Sequence, residues 1–281
     1  MSARLRPLAA VGLAAALALA ATAPLAGCGK SSSPSAPSPP DGTLADVIAL
    51  IRSATLPGSV PPPNVDGSAS LIASSELDGV HAASALFVSG VSLLPAGDVH
   101  VRVNLVPGPG VADLLLDQIT THYQGQLEYA YTSLKSHPLG IELPFDGASW
   151  HEFKVAGSGQ VPALDDSVRS VTPMAITLPA DGAAAPRNAD LDVTWSPSGA
   201  DTTVYVAVQV SSLVDTTKTA VGVLARDGDG ATIVTAAQLG LLPAGSAKLG
   251  VARFRLTYRN VAGHKIGMAC ESTRLRSLTL N

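Results

Sequence analysis

The sequence predicts a mostly β protein built from two antiparallel, sandwich-like bodies. Three observations carry that expectation. Charged residues make up 14% of the 281, well under the roughly 25% of average globular chains. The apolar 46% is largely Ala, Val and Leu, cut into short pieces by 26 Gly and 21 Pro. Apolar residues recur with a period of two in many runs, with no long helical pattern between them. The 254 residues left after an N-terminal leader of 27 suffice for two domains of about 110–130 residues each.

Residues 1–27 read as an export signal. Arg4 and Arg6 open it, an Ala/Leu-rich run covers 8–23, and small residues close it. The closing stretch Leu25-Ala26-Gly27-Cys28 resembles the lipobox of bacterial lipoproteins. The resemblance implies cleavage before Cys28 and lipid, palmitate included, on that cysteine. In lipoproteins of Gram-negative cells an aspartate after the lipidated cysteine retains the protein at the inner membrane. Gly29 stands there instead, so the resemblance implies an outer-membrane lipoprotein, on the periplasmic or the surface face. Residues 28–42 are rich in Ser and Pro. They bury nothing and stiffen toward polyproline II, as a tether does.

The first body is expected over 43–172. Thr43 and Asp46 form a capping box ahead of Leu44, Val47, Ile48 and Ile51 at helical spacing, which predicts a short helix near 44–53. From Ala69 the period becomes two. Val99, Val101, Val103 and Leu105 alternate with polar residues, and the 82–94 run is the expected partner strand. Residues 111–119 fit a short helix slightly better than a strand, through Asp113 and Asp117. Strands are expected around Leu127–Tyr131 and Trp150–Val155 by their alternation, with an Asp146-Gly147 turn before the second.

The second body is expected over 173–281. Strands are read at 175–178, 191–195, 204–210, 220–225, 248–258, 266–270 and 274–280. In the 248–258 run Leu249 and Val251 share one parity, Phe254, Leu256 and Tyr258 the other, which predicts a β-bulge near Ala252. The stretches Ile176-Thr177-Leu178-Pro179, Asp192-Val193-Thr194-Trp195 and Val204-Tyr205-Val206 resemble a fibronectin type III or related immunoglobulin-like module. The resemblance implies that Trp195 is the buried tryptophan of the second strand. It also implies that Leu241-Leu242-Pro243-Ala244-Gly245 is the corner before the sixth strand. The family's tyrosine soon after that corner is Leu249 here.

Charge narrows the partners. The leader holds two cations and no acid, so the remainder has 16 basic against 22 acidic residues, a balance of −6. That offers no electrostatic footprint for nucleic acid and no polybasic attraction to anionic lipid, so membrane attachment rests on Cys28. With Cys28 lipidated, Cys270 has no intramolecular partner. It is either a buried small hydrophobe or an exposed thiol.

Catalytic patterns are sparse. No Gly-x-Ser-x-Gly elbow, paired-histidine metal motif, phosphate loop or dinucleotide fingerprint is present, and no cofactor is expected. Gly157-Ser158-Gly159 reads as loop. His122, His137 and His151 share the 122–153 stretch with Tyr123, Tyr129, Tyr131, Phe145, Trp150 and Phe153, six of the eleven aromatics. Two readings stand: a core with a solvated face, or a ligand-binding face with aromatic platforms. Asp227-Gly228-Asp229-Gly230 reads as a hairpin turn, with a weak calcium site on Asp227 and Asp229 as the other reading. Asp165 and Asp166, adjacent on a strand, would face opposite ways.

The expectation from sequence is a non-catalytic envelope lipoprotein. It would act as a binding or structural module whose partners are the membrane, through lipid on Cys28, and an envelope protein or glycan. The alternative is an exported hydrolase, or a carbohydrate- or calcium-binding adhesin, with its site within 123–153.

Overall fold

Two 17-residue strands near the C-terminus form the spine of the molecule. The structure, a computed structural model, describes residues 68–89, 92–104, 113–123, 126–199, 201–214 and 220–281. The expected leader, the tether and the helix of 44–53 lie outside them.

The described strands, numbered in chain order, are β1 (Ser68–Leu77), β2 (Val80–Ser89), β3 (Ser92–Leu93), β4 (Val99–Asn104), β5 (Asp113–Leu115), β6 (Asp117–Tyr123), β7 (Gln126–Thr132), β8 (Trp150–Val155), β9 (Leu164–Arg169), β10 (Ile176–Leu178), β11 (Ala183–Ala185), β12 (Leu191–Trp195), β13 (Val204–Ser212), β14 (Ala220–Arg226), β15 (Ala231–Val234), β16 (Gly245–Val261) and β17 (His264–Leu280). A ten-stranded sheet runs β14-β13-β16-β17-β1-β2-β7-β6, with β11 beside β17 and β3 beside β2. A four-stranded sheet, β5-β4-β8-β9, and a three-stranded one, β10-β12-β15, complete the fold. The protein is therefore mostly β, with sheets packed face to face.

Both small sheets pack on the same face of the large one, because its strands alternate in one register. The first core joins Val101, Phe153 and Val168 of the four-stranded sheet to Ile72, Met268 and Cys270 of the large sheet. The second joins Val193, Trp195 and Val234 to Val206, Val208, Leu249 and Val251. Residues up to Val171 belong to the first core, apart from Val204 and the outer half of the β16–β17 hairpin, and residues from Met174 onward to the second. In the second unit, β10-β12-β15 faces β14-β13-β16-β17, with β11 parallel to β17. This is the two-sheet arrangement of an immunoglobulin-like sandwich. Trp195 is buried on β12, the middle strand of the three-stranded sheet, and the Leu241–Gly245 corner leads into β16.

The feature that joins the two halves is β1. It pairs antiparallel with β2 and parallel with β17, Ser74 beside Cys270 and Glu76 beside Ser272. Two-residue turns close β1–β2 and β16–β17. Asp78-Gly79 and Ala262-Gly263 both take positive φ at both positions, the twist that tight hairpins need.

Four local expectations are corrected. No bulge occurs at Ala252: β16 keeps unbroken register with β13 and β17 through that residue. Its parity slip arises because β16 buries side chains on both faces, Leu249 and Val251 on one, Ala252 and Phe254 on the other. Residues 113–115 and 117–123 are strands, not a helix; Asp113 pairs across the sheet with Arg102 and His100. β2 pairs with β1, β7 and the short β3, while β4 pairs with β5 and β8. Asp227–Asp229 is a 3-10 turn that carries the chain from the large sheet to the three-stranded one, not a hairpin turn.

Candidate functional site

A polar band crosses the large sheet between the two apolar cores. Register places Arg253 of β16 opposite Ser272 of β17, and Ser272 beside Glu76 of β1. All three are buried. Buried polar groups are tolerable only when their hydrogen bonds are satisfied, and here they are. The Ser272 hydroxyl donates to Glu76 and accepts from the Met174 amide at 2.8 Å. Glu76 also takes Arg274 and the Gly79 amide, the latter at 2.7 Å.

Arg253 holds the other side of the band. Its Nε donates to Asp227 Oδ1 at 2.8 Å, and its two terminal nitrogens donate to the carbonyls of Thr172, Pro173 and Ser196 and to Thr172 Oγ1. The planar fork of an arginine can serve so many acceptors at once. Asp227 is fully buried. Its second oxygen accepts from Ser198 N and Oγ at 2.6 and 2.5 Å, and its carbonyl accepts from Trp195 Nε1 at 2.9 Å. Arg253 thus fastens the crossing between the units at Thr172-Pro173 to the strand end under Trp195.

One turn of the pleat away lies the only arrangement that looks like chemistry among the described residues. Ser74 Oγ is 2.6 Å from His151 Nδ1, and Cys270 Sγ is 3.8 Å from the same nitrogen. His151 Nε2 lies 3.0 Å from the Pro144 carbonyl. A carbonyl only accepts, so Nε2 carries the proton and Nδ1 accepts from the Ser74 hydroxyl. A serine on a histidine base is the start of a nucleophile. Here, however, Ser74, His151 and Cys270 are each 0% exposed, and Phe145 packs edge-on against the imidazole. Burial pushes His151 down to about 4 and the Cys270 thiol up to about 12. The group is a neutral hydrogen-bonded cross-link between the large sheet and β8. It also decides Cys270 as a buried small side chain.

The His151 link carries a pH dependence. Its folded pKa, about 4, lies below the ordinary 6.5. Above pH 6.5 the residue is neutral in both states and the stabilisation is whole. As pH falls from 6.5 toward 4 the unfolded chain takes the proton first, and about 3 kcal/mol is lost. Denaturant titrations across that range should show this slope, and it should flatten in His151→Leu even though that variant starts less stable. An unchanged slope would refute the assignment.

The other sequence-predicted residues do not converge. Tyr131 is buried edge-to-face with Phe87, its hydroxyl accepting from the Ala96 amide at 2.7 Å. Phe145 and Phe153 lie in the first core, while Trp150 is 48% exposed. His122 is on β6, His137 in an exposed turn and His151 on β8. Asp227 spends its carboxylate on Arg253 and Ser198, and exposed Asp229 accepts from the Arg226 amide at 3.2 Å. Among the described residues no three His, Cys, Asp or Glu side chains gather as a metal ion would need. Cys28, Leu25, Ala26 and Gly27 lie outside the described residues.

A cleft of about 190 Å³ opens beside the polar band, lined by Asp146, Arg169, Thr172, Ser198, Asp201 and Arg255 among others. Arg255 Nη2 donates to Asp201 at 2.5 Å, and Asp201 also takes the Thr203 amide and hydroxyl. Asp146 takes the amides of Ala148 and Ser149 and the hydroxyls of Ser149 and Ser170. These bonds hold its carboxyl well below the ordinary range despite partial burial. The acids here are already engaged in local turns.

No protein-family model matches this sequence. No curated protein matches it. Among solved structures, the chain is similar to the chicken CNTN1 FN1–FN3 domains, at 13% identity and a TM-score of 0.21, over 68% of this chain and 60% of that one. It is also similar to the fibronectin(III)-like modules of Clostridium thermocellum CbhA, at 14% identity and a TM-score of 0.24, over 75% and 92%. A two-domain fibronectin type III segment of chicken tenascin matches at 7% identity and a TM-score of 0.21, over 68% and 90%. The chain thus spans 60% of the length of the first of these.

Proposed function

We propose that the protein is a non-catalytic envelope lipoprotein, a binding or structural module held at the outer membrane through Cys28. The observation that carries this reading is Leu25-Ala26-Gly27-Cys28 at the end of an apolar leader, followed by a Ser/Pro-rich tether. The interior supports the non-catalytic part. Among the described residues, the one serine–histidine pair with the right geometry is closed to solvent on every side, and a nucleophile must meet its substrate. Among the described residues no helix is long and apolar enough to cross a membrane. In this reading the lipid alone holds the protein at the bilayer, and two acyl attachments give stable anchoring where one does not.

The test is Cys28→Ser. The variant is expected to move from the membrane pellet to the soluble fraction, with melting of the folded body unchanged. A variant that stays in the pellet, or wild-type protein that takes up no alkyne-tagged palmitate, would overturn the anchor.

A further inference from the structure

A patch at the middle of the large sheet's outer face, opposite both small sheets, is as closed to solvent as the cores, while Leu275 further along the same face is 42% exposed. Ala73, Ala207, Ala252 and Ala269 are each 0% exposed there, and Phe254 and Glu271 2%. Register puts them side by side: Ala207 pairs with Ala252, Phe254 with Glu271, and Ala73 with Ala269. Among the described residues, the apolar cluster on this face is Ala207 and Phe254 with Tyr205, Leu224 and Leu256, all of the sheet itself. Small side chains make it flat, and a flat apolar sheet face is what a helix covers.

We propose that this face is the docking site of residues 44–52 of the same chain, packed as an amphipathic helix across β1, β17 and β16. Leu44, Val47, Ile48 and Ile51 fall on one helical stripe. Arg52, the one cation in 44–52, sits at the edge of that stripe, where its guanidinium can reach Glu271. The buried Glu271 carboxyl, raised well above the ordinary range by desolvation, is the group on this face that calls for a cation. The chain also arrives in the right place. It enters the sheet at Ser68, on a central strand. The 14 residues from 54 to 67 can span up to about 46 Å, ample to fold back over a ten-residue strand. The inference does not depend on lipidation of Cys28.

Hydrogen exchange on the full chain tests it, with light scattering on the same samples. Amides of 46–52 are expected to exchange at least tenfold more slowly than those of 30–42. Ile48→Glu, which leaves the sheet untouched, should abolish that protection while the core strands stay protected. Ala252→Trp, which leaves the segment untouched, should do the same. Equal exchange in the two segments would overturn the proposal, as would protection that survives Ile48→Glu. It would also fall if Ala252→Trp freed residues 8–23 instead of 46–52, which would make the leader the occupant. A concentration-dependent dimer that loosens with Ile48→Glu would assign the face to a second copy.

Discussion

Arg253→Ala is expected to cost about 3–5 kcal/mol, because removing one partner of a buried ion pair strands the other charge. Asp227, fully buried, would keep only Ser198 as a side-chain partner. The carbonyls of Thr172, Pro173 and Ser196 would lose the donor they share. Urea unfolding at neutral pH would measure the loss. Arg253→Lys should recover little of it, since one ammonium cannot serve four separate groups. Asp227→Asn should cost less than Arg253→Ala, because an amide oxygen still accepts from Ser198 and leaves no buried anion. A change below about 1 kcal/mol for Arg253→Ala would show that the band is hydrated and the pair unimportant.

Trp195→Ala is expected to cost a similar amount, about 3–5 kcal/mol, the range for deleting a buried large aromatic. Trp195 is 3% exposed, packs in the second core and donates to the Asp227 carbonyl. The variant therefore opens a cavity and leaves the Asp227 carbonyl with the Gly230 amide as its remaining donor, at 3.2 Å. It offers a second measurement as well. The remaining tryptophan, Trp150, stands on β8 of the first unit. Its fluorescence reports whether the first core follows when the second is weakened. The shared strands and the Arg253 clamp lead us to expect one common transition. A near-neutral change in stability would mean that Trp195 is not the packing centre of its sandwich.

Much of this architecture was legible from alternation, for a physical reason. β8 and β13 each bury one face strongly, so 150–155 and 204–210 show a period of two. Alternation misleads where both faces are covered. β16 buries Leu249, Val251 and Arg253 on one side and Ala252 and Phe254 on the other, which looks like a slip in a one-sided strand. Spacing misleads too. Asp113 and Asp117 lie four apart as on a helix face, yet Asp113 meets Arg102 across a strand pair and Asp117 caps the turn at Ser136. Ser74 could not have been singled out. Its partner His151 is 77 residues away, and nothing local marks a serine that will face a histidine. The parallel pairing of β1 with β17 is equally silent, since it joins stretches near opposite ends of the described chain. Cys270 was legible only as a choice, and burial makes it.

That pairing has a bearing on how the molecule comes into being. The neighbour that β1 requires lies 196 residues further along the chain, Lys265 opposite Ala69, so that side of the first core must wait for β17 to be made. Non-local partnerships of this kind slow folding and keep an incomplete chain exposed for longer. The same dependence makes the far end fragile: a stop codon shortly before His264 would deprive both halves of their shared strand, and proteases rather than cells would read the product.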